Sequence, residues 1–131
     1  MTATMSHPLH QDCQKVSQIL ARIGEKWSML VVMLLRDGSR RFNDIKRNTA
    51  GISQQMLTRT LRGLERDGMV TRTIFPTSPP QVEYSLTTLG HSMSEPVLAF
   101  GEWVRSHLGE FDAARLRYDQ NGGKAERPAG L

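Results

Sequence analysis

Apolar residues recur along this chain at helical spacing in separate runs, divided by turn signals. Val16, Ile19, Leu20 and Ile23 fall on one side of a helix, which predicts an amphipathic helix over Asp12 to Ile23, ended by Gly24. From Lys26 to Leu35 the run MLVVMLL is too continuous for a half-exposed surface. It predicts a buried central helix, closed by Asp37-Gly38. Arg40-Arg41-Phe42 reads as a short extended segment, and a third helix from Asn43 to Arg47 buries Phe42 and Ile45. Thr49-Ala50-Gly51 is then a turn.

The stretch after that turn, GISQQMLTRTLRGLERDGM, separates cleanly when placed on a helix. Met56, Leu57, Leu61 and Leu64 fall on one side, and Gln55, Arg59, Arg62 and Arg66 on the other. Ser53 is the expected N-cap, with Ile52 placed to pack against Leu57, and Asp67-Gly68 is the stop. Val70 to Ile74 and Val82 to Leu86 alternate like strands around Pro76-Thr77-Ser78-Pro79-Pro80, which predicts a β-hairpin with a proline-stiffened tip. Thr87 caps a last long helix whose apolar residues are Leu89, Met93, Val97, Phe100, Val104, Leu108 and Phe111, with Pro96 expected to kink it.

Helix, short turn, amphipathic helix and hairpin in this order predict a mainly α fold with a small β-hairpin (α+β), a winged helix-turn-helix. Residues 1–11 read as a flexible arm, 12–111 as the winged-helix and dimerisation domain, and 112–131 as a mobile polar tail. The final helix carries more apolar surface than one domain face can cover. A second copy of the chain is the economical partner, since a two-fold dimer matches a near-palindromic site on double-stranded DNA.

Charge sharpens this picture. The 131 residues carry a net +4, with nine Lys/Arg against four Asp/Glu between Arg36 and Ile74, but one Arg against four Glu from Phe75 to Glu110. Positive charge thus gathers around the amphipathic helix, an electrostatic footprint for phosphate. Gln54, Gln55 and Thr58 stand nearest the base edges, Ser53, Arg59 and Arg62 follow on the same helix, and Arg41, Arg72, Thr77 and Ser78 are the other candidates for DNA contact. The longest apolar run is far short of the roughly 20 residues of a membrane helix, and the N-terminal decapeptide lacks the order of a secretory signal. Those features place the protein in the cytoplasm, without a membrane partner.

The same residues carry a family resemblance that spans Cys13 to Leu108. Gly24-Glu25-Lys26-Trp27-Ser28, Arg41-Phe42-Asn43-Asp44-Ile45, Gly51-Ile52-Ser53 with Leu57-Thr58 and Leu61, and Leu64 to Val70 come first. Pro79-Pro80, Val82 to Thr87, Leu89-Gly90 and Trp103 follow in order. Together they resemble the HxlR family of bacterial winged helix-turn-helix transcriptional regulators, relatives of the MarR group. The resemblance implies a homodimer held by the first and last helices, with the helix from Ser53 in the major groove and the hairpin as wing. It also implies a repressor released by a redox, electrophile or small-molecule signal. Some members sense oxidants through a cysteine at the place of Cys13, although Gln14 stands where the family often has proline.

Cys13 is accordingly the redox-sensing candidate, and a small interface residue is its competing account. Trp27, Phe100 and Trp103 are candidates to line a pocket for a small aromatic or quinone-like effector, and core packing explains them equally. His7, His10 and Cys13 are spaced by three, but without further acidic or Cys/His partners no metal site and no cofactor is expected. No nucleophile with its base and no carboxylate pair stands out, which argues against an enzyme. The alternative to a DNA-binding regulator is a winged-helix protein-interaction module without sequence-specific DNA binding, from which the cationic helix face distinguishes it.

Overall fold

The computed structural model describes residues 12–123. The expected arm, with His7 and His10, and the end of the expected tail from residue 124 lie outside the described residues. Within them the order is α1 (Cys13–Gly24), α2 (Lys26–Leu35), β1 (Arg40–Arg41), α3 (Phe42–Arg47), α4 (Gln54–Arg66), β2 (Val70–Phe75), β3 (Gln81–Leu86), α5 (Thr88–Ser106) and α6 (Leu108–Gln120). The chain divides into two compact units at Val97 and Leu98, with α5 continuing from one into the other.

The first unit is built around α2. Val31, Val32 and Leu35 of α2 are buried with Ile45 of α3, Leu57, Leu61 and Leu64 of α4, and Ile52, Met69, Val70 and Leu86. The apolar face of α4 is therefore fully used, while α1 has no buried residue at all. The expected hairpin is there, but it belongs to a three-stranded antiparallel sheet of order β1-β3-β2, in which Arg40 pairs with Tyr84 and Arg72 also pairs with Tyr84. The extended segment stops at Arg41 because Phe42 already opens α3.

Chain reversals are fixed by hydrogen bonds that the sequence signals. Gly68 adopts φ +79°, donates to the Glu65 carbonyl at 3.0 Å, and lets Met69 donate to the Leu64 carbonyl at 2.9 Å. This is the Schellman arrangement that ends a helix on glycine. The Thr87 hydroxyl then donates to the Gly68 carbonyl and accepts from the Gly90 N–H, tying the start of α5 to the end of α4. Gly90 is required there, because a Cβ would collide with the Met69 carbonyl oxygen.

Two expectations about the C-terminal end are corrected. The last helix is not single: α5 ends at Ser106, where the Ser106 hydroxyl and His107 Nδ1 both bond the Trp103 carbonyl, and α6 starts after His107. Nor does a polar tail begin at Asp112, since α6 runs to Gln120. Its Ala, Arg and Leu residues favour helix, and Gly122 and Gly123 cap it with positive φ, donating to the carbonyls of Asp119 and Tyr118. The pair read as tail glycine is a helix stop.

Candidate nucleic-acid interface

The outward face of α4 follows from how its inward face is anchored. Ser53 is extended at φ −80°, ψ 162°, and its hydroxyl accepts the Met56 N–H at 3.1 Å, as the N-cap requires. With Leu57, Leu61 and Leu64 held in the core, Gln54, Gln55, Thr58, Arg59 and Arg62 line one open depression on the opposite side. Thr58 spends its hydroxyl proton on the Gln54 carbonyl at 2.9 Å, so toward a ligand its oxygen is left chiefly to accept. The two glutamines lie in the first turn, where helix N–H groups and the positive end of the macrodipole favour an anion such as phosphate.

Arg59 and Arg62 are exposed and form no ion pair with a described residue. The same holds for Arg41, which lines a separate hollow with Phe42, Arg47, Pro80 and Gln81 where β1 meets the wing. Arg72 lies in a third hollow with Thr58, Leu61, Arg62, Glu65 and Tyr84, joining helix to wing. There Arg72 Nε stands 3.8 Å from a Glu65 carboxylate oxygen. Burial pushes the Tyr84 phenol up from its usual range, with Arg72 working against it, so Tyr84 remains a hydroxyl donor. Thr77 and Ser78 are exposed at the wing tip, and the Thr77 hydroxyl is tied to the Pro79 carbonyl at 2.7 Å.

Glu65 and Tyr84 were not among the candidates for DNA contact read from the sequence. Register was the missing signal: only the sheet pairing puts Tyr84 opposite Arg72 and brings both to α4. In the Arg41 hollow, Arg47 lies beside Asp44, which Arg40 also meets. The hydrogen bond from Arg40, at 2.8 Å, and the nearby Arg47 hold the Asp44 carboxyl below its usual 3.8 against the opposing effect of desolvation.

The remaining candidates lie elsewhere. Cys13 is exposed at the first position of α1. Trp27 is half-buried against the core of the first unit, with the Lys26 ammonium 4.5 Å from its ring centroid. Phe100 and Trp103 belong to the second unit, where their rings stack at 6.2 Å and Trp103 also stacks on His107 and meets Phe111 edge-on. No group of three or more His, Cys, Asp or Glu among the described residues is arranged to hold a metal ion, and no helix is long and apolar enough to cross a membrane.

Comparison with known proteins agrees with this architecture. A family model described as HxlR-like helix-turn-helix matches residues 22–112. The HTH-type transcriptional regulator YtfH of Escherichia coli is 41% identical over 98 residues, covering 75% of this chain and 78% of that protein. The structure of YtfH from Salmonella typhimurium superposes with a TM-score of 0.72 at 39% identity, over 76% of this chain and 89% of that one. The redox regulator HypR in its reduced form gives 0.71 at 39% identity, over 76% and 98%.

Proposed function

This chain belongs to the HxlR-like helix-turn-helix family of transcriptional regulators, and on that footing we propose a homodimeric, sequence-specific repressor whose α4 reads the major groove of a near-palindromic operator. The observation that carries the reading is the outward face of α4. It presents two amides, a hydroxyl oxygen and two guanidinium groups without an ion pair among the described residues, over a helix whose other side is packed in the core. Gln pairs with adenine and Arg with guanine or phosphate, so the set suits base edges and backbone together. Arg41, Arg72 and the wing tip add phosphate and minor-groove contacts on either side.

Dimerisation is supported by apolar side chains left in solvent. Ile19 and Leu20 of α1, Phe100 and Trp103 of α5, and Leu108 and Leu116 of α6 are all exposed. A two-fold pair of chains would cover such surfaces and place two α4 helices on successive half-sites. A thiol signal is the second element of the proposal. Cys13 is exposed on α1, and the relative HypR is known in reduced and oxidised forms.

Fluorescence anisotropy against the upstream intergenic duplex and a scrambled duplex, at two salt concentrations, tests the reading. The native duplex should bind far more tightly, and Arg59→Ala should weaken it by about 1–3 kcal/mol without unfolding the protein. Equal binding of both duplexes, lost together as salt rises, would overturn sequence-specific recognition. Release by diamide should disappear in Cys13→Ser; release that persists removes the thiol from the mechanism.

A further inference from the structure

At its C-cap α4 is tied to α1 by an ion pair. Arg22 Nε donates to Asp67 Oδ2 at 2.8 Å, with the two side chains only 26% and 14% exposed. Asp67 is the C-cap of α4, where a carboxylate meets the negative end of the helix macrodipole and is disfavoured unless a cation offsets it. Arg22 supplies that cation. Its guanidinium passes close to α4 at Gly63, which is buried, and a Cβ at Gly63 would collide with Arg22 Nη1 and Cζ. Glu25 and Arg66 line the same hollow, beside the pair.

The rest of α1 grips the domain weakly, with Val16 and Ile23 half-buried and nothing fully buried. We infer that Arg22, seated on Gly63 and bound to Asp67, is a positioning residue: it fixes the attitude of α4 relative to α1, and so the register in which α4 meets DNA. The inference rests on the DNA-binding reading above. Arg22 touches no base; it acts through the end of the helix that does.

Charge alone makes opposite predictions from positioning, which gives the test. Full-length protein is titrated with the native and the scrambled duplex in wild type, Arg22→Gln, Asp67→Asn, the double variant and Gly63→Ala. If these residues act only through net charge, Arg22→Gln weakens binding to both duplexes, Asp67→Asn strengthens it, and Gly63→Ala changes nothing. Positioning predicts that all of them lower the ratio of native to scrambled affinity, by about three- to tenfold, with the double variant no worse than either single one. Gly63→Ala is the decisive member. It keeps every charge and raises helix propensity, so its melting temperature should hold while discrimination falls. A wild type that discriminates, alongside variants that discriminate equally well or follow the charge pattern, overturns the inference and leaves the regulator reading intact. A wild type that fails to discriminate overturns the regulator reading itself, and the inference with it.

Discussion

The two ends of α5 belong to regions that treat apolar residues in opposite ways. Before Val97 a core takes many of them: Leu57 and Ile45 are 0% exposed and every helix from α2 to α4 contributes to it, although Ile19, Leu20, Leu30, Ile74, Phe75 and Leu89 stay exposed. From Leu98 to residue 123 no described residue is buried, although Phe100, Trp103, Leu108, Leu116 and Tyr118 are all large and apolar. A sequence rich in apolar residues is thus no guarantee of a core. The first region can bury its own face because several elements converge on α2; among the described residues the second holds part of α5 and the whole of α6, too few elements to enclose a core.

The largest expected effect breaks the comparison at its strongest point. Leu57→Ala should cost about 2–5 kcal/mol through the cavity it leaves, whereas Leu116→Ala, at a side chain 59% exposed, should change the stability of a dilute monomer by less than about 0.5 kcal/mol. Denaturant unfolding of both variants decides it, and similar losses would mean that α6 has a core of its own. Next comes the surface left open. Trp103→Ala removes an exposed ring from a stacked cluster, so it should leave the fold intact but weaken the proposed dimer by about tenfold or more in sedimentation experiments. An unchanged dissociation constant would place the interface elsewhere.

A smaller effect is expected at the N-cap of α4. Ser53→Ala leaves the Met56 N–H without its hydroxyl partner and should cost about 1 kcal/mol, readable as a modest fall in melting temperature. The smallest concerns acid. Because Arg40 and Arg47 hold the Asp44 carboxyl below its ordinary 3.8, its stabilising contribution is complete above that value and is lost as pH falls through the lower folded-state value. Asp44→Asn should therefore flatten the acid limb of the stability curve there, and an unchanged limb would show that other carboxylates dominate it.

Much of this protein was legible in the chain. Periodicity and turn residues placed α1 to α4, both wing strands, the Ser53 cap and the Gly68 stop within a residue or two, because each is decided by interactions between residues a few positions apart. The cationic face of α4 was legible for the same reason, since a helix with one apolar side has only one place to put Gln55, Arg59 and Arg62. At the C-terminal end, local signals competed. Asn121-Gly122-Gly123 reads as a tail by composition, and as a cap only when the preceding residues are known to be helical.

What only the tertiary structure decided are pairings between distant residues. Nothing within a few positions of Arg40 states that it joins β3, or that Tyr84 stands between Arg40 and Arg72. Arg22 and Asp67 are likewise 45 residues apart, each unremarkable in its own helix. Short-range geometry is written in the order of side chains. Long-range pairing is selected by burial of the shared core, which no single segment encodes.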